Sequence, residues 1–336
     1  MQGLKVDVLT SRAGQVRTDG SGGPDSVRFL RSWEVAHTPI IPALPGELLR
    51  LPRLSVVHLH IGQAFVPESV YLVHLLRGLP YVAHVHCDIG PSGAAGFLLG
   101  AYKPLILGRV LRAAAAVVVF TDEQRSVISS EYRLDPGRVS VIPNGVDKSF
   151  FYAGERVLHE KPRLLFVGRF VAQKNLALFL RALDGVSERF ETSLVGEGEL
   201  GAELKKAVED LRLCNVRFHG RVEGADLREL YRTADVLVLP SEREAFGLAV
   251  LEAMAMGLPI VATDVSGTRA LVAPDQNGVL VPPGDPAALR EALLSVTGDP
   301  DRYRQMSERS RHLAAGYSWE AAGAAFERLY AQASRL

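Results

Sequence analysis

Apolar runs of four to six residues alternate with amphipathic stretches of ten or more along most of this chain, a rhythm that predicts parallel sheets covered by crossover helices. In the first half the expected strands are KVDVLT (5–10), SVVHLH (55–60), YVAHVH (81–86), AAVVVF (115–120) and VSVIP (139–143). VRFLRSW, 27–33, reads as a further strand after the glycine-rich turn GSGGPDS, 20–26. The pattern then lapses. PNGVDKSFFYAGERVLHEKP, 143–162, mixes turn residues with charge and holds no period, so a domain boundary is placed there. The rhythm restarts with RLLFVG (163–168), TSLVG (192–196), VRFHG (216–220), VLVLP (236–240), PIVAT (259–263) and GVLVPP (278–283). The expected class is α/β, with two Rossmann-like sheets in tandem over residues 1–155 and 156–315. A terminal segment, 316–336, contains SWEAAGAAFERLYAQ, an amphipathic helix opened by a serine cap and expected to cross back to the first domain. Ligands of such sheets bind beyond the carboxyl ends of the strands, which makes a cleft between the domains the default site.

Composition narrows the partners. The 336 residues hold 38 basic and 38 acidic side chains, and neither half is polybasic, with 15 against 13 through residue 155 and 23 against 25 after it. Nothing global points to nucleic acid or to an anionic membrane surface. The two cysteines, Cys87 and Cys214, have no metal-ligand spacing, which favours buried thiols in a reducing cytoplasm. The longest strongly apolar run, AAAAVVVF at 113–120, is too short to span a bilayer. A cytoplasmic protein without membrane association is therefore expected.

The strand ends carry the chemistry. VGRFVAQKNL, 167–176, sets Arg169 and Lys174 before a helix, where a guanidinium fork, an ammonium and helix-initial N–H groups together suit a diphosphate. Two solvated surface cations would explain those residue types equally well. SEREAFGLAVLEAMAMG, 241–257, weighs against that reading, because it places Glu244 and Glu252 around an apolar segment rich in small residues. A carboxylate accepts two hydrogen bonds side by side and suits the vicinal hydroxyls of a ribose or hexose. Eight residues of helix span about 12 Å, enough for one acid to hold a sugar and the other a ribose, with phosphates between. Gly247 is read as room for a ligand to approach the backbone.

These motifs resemble those of the retaining glycosyltransferases of family 4, with the two-domain GT-B fold. VGRFVAQKNL, LVGEGEL, FHGRV, SEREAFGLAVLEAMAMGLPIVATD with its E-x7-E element, and the terminal SWE helix occur in the family's order, and VIPNGVD at 141–147 is similar to its linker strand. The resemblance covers about residues 4–334. It implies that Arg169 and Lys174 neutralise the diphosphate of a nucleotide-sugar and the charge developing on the leaving group. It assigns the ribose to Glu252 and the hydroxyls of the transferred sugar to Glu244. Phe246, Gly247 and Leu248 would offer backbone N–H groups to sugar and phosphate, Gly220, Arg221 and Val222 would face the base, and Gly168 would line the diphosphate pocket. Such enzymes need no metal or other cofactor, and these motifs contain no acidic D-x-D cluster.

The first domain would then serve the acceptor. His58 and His60, like His84 and His86, alternate along their strands, so each pair shares a face. His86, followed by Asp88 and a Gly-Pro loop, resembles the family's active-site histidine. His60 and Asp88 are further acceptor-side candidates, whereas His58 and His84 read as hydrogen-bonded histidines of the sheet. The expected reaction moves a sugar, such as N-acetylglucosamine from its UDP donor, to a small hydroxylated acceptor. The run LHIGQAFVPESVYLVHLLRGLPYVAHVHCDIGPSG is similar to that of bacterial transferases acting on aminocyclitols. A lipid acceptor, a nucleotide-sugar-binding protein without turnover, and another GT-B enzyme such as an epimerase or phosphorylase are the alternatives; the E-x7-E element disfavours the last. Oligomeric state, base, sugar and acceptor stay open.

The chain also departs from the family pattern. MQGLKVDVLTSRAG resembles the end of the family's first helix running into its second strand, so about forty preceding residues have no counterpart. Either an internal methionine is the start or the first βα unit is lost, and impaired catalysis or stability is expected unless a partner covers the gap.

Overall fold

The computed structural model describes residues 5–11, 26–35, 38–62, 64–86 and 102–335. Its chain divides into two compact units, Met1–Ile142 with Gly323–Leu336, and Pro143–Ala322.

In the first unit β1 (Asp7–Ser11) and β2 (Ser26–Leu30) pair in parallel as a sheet of two, and β3 (Trp33–Val35) and β4 (Thr38–Ile40) form an antiparallel pair. VRFLRSW is thus not one strand. β2 stops at Leu30 because its partner β1 ends opposite it at Ser11, and Trp33 already belongs to β3. Most of GSGGPDS lies outside the described residues. The chain continues through α1 (Leu44–Leu49), β5 (Val57–Ile61), α2 (Val66–Arg77), β6 (Tyr81–Val85), α3 (Gly108–Ala113), β7 (Ala116–Val119), α4 (Asp122–Tyr132) and β8 (Val139–Val141). β5 to β8 pair in sequence order as a parallel sheet of four.

Period-two alternation gives that sheet two different faces. Leu59, Ile61, Tyr81, Ala83, Val85, Val117 and Val119 point into one core with Leu44, Val70, Val73 and Val110 from the helices. The other face carries His58, His60, His84 and His86, and it is packed by Phe326 and Tyr330 from the C-terminal segment of this unit.

The second unit holds β9 (Arg163–Val167), α5 (Leu176–Leu183), β10 (Glu191–Val195), α6 (Gly201–Asp210), β11 (Val216–Gly220), α7 (Gly224–Thr233), β12 (Val236–Leu239), α8 (Leu248–Ala255), β13 (Ile260–Thr263), α9 (Ser266–Arg269), β14 (Gly278–Val281), α10 (Pro286–Thr297) and α11 (Pro300–Ala314), and its strands fall where the apolar runs predict them. All six strands are parallel, in the order β11-β10-β9-β12-β13-β14. The central strands are buried on both faces, which is why their sequences run apolar without alternating. α10 and α11 start where an Asp-Pro pair dictates. Asp285 accepts from the N–H groups of Ala287 and Ala288, and Asp299 from those of Asp301 and Arg302, each with proline at the next position. The last helix, α12 (Trp319–Ala333), has the expected serine cap, with Ser318 Oγ accepting from Ala321 N–H at 3.1 Å.

The segment 143–162 is no loose linker, and the units part at Ile142 rather than at 155. Val146 N–H donates to Tyr317 O, Tyr152 N–H to Ala255 O, and Phe150 packs edge-on against Tyr231. Arg156 is buried. Its guanidinium donates to Tyr231 O, Ala234 O and Met256 O at 2.5–2.9 Å, closing the carbonyl ends of α7 and α8.

Candidate active site

In the six-stranded sheet the chain leaves β9 for β10 on one side and later returns to β12 on the other, so the connections diverge above β9 and β12. A crevice at the carboxyl ends of these strands is the binding position of such sheets. Arg169 and Lys174 follow β9, and Glu244 follows β12, so the strand order brings together residues 70 positions apart.

The two loops are tied together. Glu242 N–H donates to Gln173 O at 2.9 Å, the Gln173 amide to Arg243 O at 2.8 Å, and the Asn175 amide to Glu242 Oε1 at 3.2 Å. Asn175 adopts φ 43°, a left-handed conformation that asparagine tolerates, and its side chain caps α5 by accepting from Leu178 N–H. On this frame Lys174 Nζ meets Glu244 Oε2 at 2.5 Å, with both side chains largely buried. Gly267 N–H, at the start of α9, holds Glu244 O at 2.9 Å. The Arg169 guanidinium, by contrast, is exposed and has no ion pair or hydrogen bond among the described residues.

Glu244 and Glu252 do not share a helix. α8 begins at Leu248, so Glu244 sits in the strand-to-helix loop and the helical spacing of about 12 Å does not apply. Glu252 is on α8, half-buried, with Oε2 accepting from the Tyr231 hydroxyl at 2.8 Å. Burial raises its pKa above the usual carboxylate range, against the opposing pull of that hydrogen bond. Gly247 is explained by the helix itself. A Cβ there would lie 3.0 Å from Val250 Cγ2, inside the first turn. At the other end Gly257, with φ 76°, closes α8: its N–H donates to Met254 O, and Leu258 N–H to Ala253 O.

The remaining donor-side candidates fall around the same strand ends. Gly168 follows β9 and donates to Val195 O at 3.0 Å. Gly220 ends β11 and accepts from Gly196 N–H at 2.8 Å, Arg221 pairs with Glu223 at 2.5 Å, and Val222 is half-buried beside it. Phe246 is buried against Tyr317, and the Leu248 N–H turns back onto Phe246 O at 3.0 Å. That amide is therefore engaged within its own loop, unlike the ligand-facing donor expected. The roles of Gln173, Asn175 and Tyr231 in holding the site were not legible, since each acts through a residue distant in sequence.

In the first unit, parallel register sets His60 beside His84 across β5 and β6, and His58 one pleat before. His58 Nδ1 lies 2.5 Å from Tyr330 Oη, His58 Nε2 lies 3.1 Å from His84 Nδ1, and His60 Nδ1 lies 2.6 Å from His86 Nε2. Burial disfavours the charged rings. It holds His58 down to about 3, His84 to about 2 and His86 to about 4, with neighbouring imidazoles adding to the effect, and it also lowers His60. His86 so presents Nδ1 as its second nitrogen. Asp88 lies outside the described residues, as does Cys87, while Cys214 is exposed, contrary to the expected burial. Among the described residues no helix is long and apolar enough to cross a membrane.

The chain is similar to known proteins over nearly its whole length. The model of glycosyltransferase family 4 matches residues 1–150, and that of the group 1 glycosyl transferases matches 149–313. A D-inositol 3-phosphate glycosyltransferase of Xylanimonas cellulosilytica is 32% identical, covering 99% of this chain and 88% of that protein. A D-rhamnosyltransferase of Pseudomonas aeruginosa is 32% identical over 75% of this chain and 66% of its own. Among solved structures, sucrose-phosphate synthase from Thermosynechococcus elongatus aligns with a TM-score of 0.79 at 23% identity, covering 98% of this chain and 89% of that one. Anabaena HepE in complex with UDP aligns with a TM-score of 0.74 at 18% identity, covering 90% and 85%. With its six-stranded Rossmann-like sheet and the paired loops above β9 and β12, this chain belongs to the group 1, family 4 glycosyltransferases of GT-B fold, enzymes that use nucleotide-sugar donors.

Proposed function

We propose that this enzyme transfers a hexosyl group, with retention, from a UDP-sugar to a hydroxyl of a small cyclitol acceptor. The observation that carries the donor half is the Lys174–Glu244 pair held over the strand-order reversal, with the exposed guanidinium of Arg169, unpaired among the described residues, on the same loop. Arg169 and Lys174 bind the diphosphate. Glu244 orients the Lys174 ammonium and keeps its second oxygen for the sugar, and Glu252 keeps one oxygen for the ribose while Tyr231 holds the other. Gly168, and the segment from Gly220 to Val222, flank the diphosphate and the base.

In the reaction the bond from C1 to the diphosphate oxygen breaks while the acceptor oxygen bonds to C1 on the same face. The acceptor proton passes to the departing phosphate oxygen, whose growing charge Arg169 and Lys174 neutralise. His86 stands on the acceptor side, with His60 holding its Nε2. Uridine is favoured by the UDP complex of the structural neighbour, and a cyclitol by the inositol 3-phosphate named for the relatives. N-acetylglucosamine is the sugar proposed, and no cofactor is required.

Titration calorimetry with UDP, GDP and ADP, repeated on Arg169→Ala and Glu252→Ala, tests the donor half. Micromolar binding of UDP alone, lost in both variants, is the expected result, and indifference to both substitutions overturns it. Release of UDP from UDP-N-acetylglucosamine that requires an added inositol or aminocyclitol tests the acceptor half. Release with no dependence on any cyclitol refutes it.

A further inference from the structure

We propose that His58, His60 and His84 form a binding site for a transition-metal dication of the zinc class, distinct from the donor loops. One imidazole nitrogen from each of the three lies within 4.8 Å of the others. His58 Nε2 and His84 Nδ1 are 3.1 Å apart. Two nitrogens of a tetrahedral zinc site, at about 2.0–2.1 Å from the ion, stand about 3.3 Å apart, so this pair needs little movement to share one.

The surroundings support a ligand in this place. His84 is only 4% exposed, so its Nδ1, 3.1 Å from His58 Nε2, is held in one place away from bulk water. The rings stand on paired strands, β5 and β6, with His60 directly opposite His84, so the backbone fixes where they start. Tyr330 Oη, 2.5 Å from His58 Nδ1, has the position of the outer partner that orients a metal-bound histidine and leaves its Nε2 for the ion.

The donor set indicates the class of ion. Three imidazoles, with no carboxylate hydrogen-bonded or ion-paired to them among the described residues, suit zinc, copper or nickel and offer nothing to magnesium or calcium. Coordination needs no proton release. With the His58 proton on Nδ1, donated to Tyr330 Oη, and the His84 proton on Nε2, both lone pairs face the 3.1 Å gap, and a cation replaces their repulsion with two metal–nitrogen bonds. In the metal-free protein His60 Nδ1 rests 2.6 Å from His86 Nε2; His60 completes the set by turning from His86, so metal binding and support of His86 exclude each other.

The test is zinc binding itself, which stands independently of sugar transfer. Full-length protein carrying Cys87→Ser and Cys214→Ser, to remove thiolate binding, is stripped with a chelator and titrated with zinc chloride against a chromogenic chelator. One zinc per chain is expected, with affinity falling at least roughly tenfold in both His60→Ala and His58→Ala. His60 is the most solvent-open of the three rings, so its variant retains the core, and circular dichroism verifies the fold of each. His312→Ala, on α11, leaves binding unchanged. Absence of saturable binding at one per chain, or parental affinity in either His60→Ala or His58→Ala, overturns the proposal.

Discussion

Lys174 and Glu244 illustrate what a residue type and its spacing leave undecided, because each could have been a solvated surface charge. Their 2.5 Å contact in a largely buried setting makes them one unit. Lys174→Ala is expected to lower kcat/KM by about 10²–10³-fold, the range for losing one donor to a developing oxyanion, and steady-state kinetics with the donor varied verifies it. Glu252 requires a finer substitution. Glu252→Ala leaves the buried Tyr231 hydroxyl only Ala249 O at 3.4 Å and so mixes stability with binding, whereas Glu252→Gln keeps a nearby carbonyl for that hydroxyl. Glu252→Gln should therefore unfold near the parental temperature while binding UDP about tenfold more weakly. A parental affinity in this variant would remove Glu252 from the ribose site.

Elements depend on residues that lie outside them. Arg156, within a stretch that reads as irregular, holds the carbonyl ends of α7 and α8 and so positions the helix that carries Glu252. Arg156→Met keeps much of the volume but leaves those carbonyls without their donor, and about 3 kcal/mol of destabilisation is expected by chemical denaturation. The histidine face of the first sheet predicts a pH effect in the metal-free protein. His58, His84 and His86 face one another, His60, Phe120, Phe326 and Tyr330, with no carboxylate among the described residues hydrogen-bonded to them. Their folded pKa values lie below the unfolded value of 6.5, so the unfolded chain binds more protons and acid favours it. This stability is complete above about pH 6.5 and declines as pH falls towards the folded values. His84 alone contributes a loss of about 2 kcal/mol by pH 5. Denaturant midpoints between pH 7 and 5 should fall accordingly, and less so in His58→Phe.

At the scale of the whole molecule, two compact units imply that unfolding need not be a single transition. A donor nucleotide binding the six-stranded unit should raise the transition of that unit, by about 2.7 kcal/mol at a hundredfold excess over Kd. Calorimetry with and without UDP measures this, and a shift absent at saturating UDP would contradict the assignment of the donor site. The E-x7-E element, Arg169 and Lys174 all fall within Pro143–Ala322, so the shift is expected in that unit alone.

The order of strands and helices was legible because apolar periodicity is a local property, and backbone hydrogen bonding converts it directly into elements. The serine cap of the last helix was readable for the same reason, its partner being three residues away. The motif residues Arg169, Lys174, Glu244 and Glu252 could be named from the chain, but their relations could not. Glu244 reads as helical next to Glu252 although α8 starts four residues after it, and its partner is Lys174 across the sheet. Likewise 143–162 has no pattern of its own because its order comes from distant carbonyls that accept from Arg156. The histidines announced their shared faces, while their joining into one cluster depended on the register of β5 against β6 and on Tyr330, 272 residues from His58. Sequence determined the elements and the chemistry they carry. Tertiary structure alone decided which charges meet and which polar atoms lose water, because both depend on contacts between segments that no local pattern encodes.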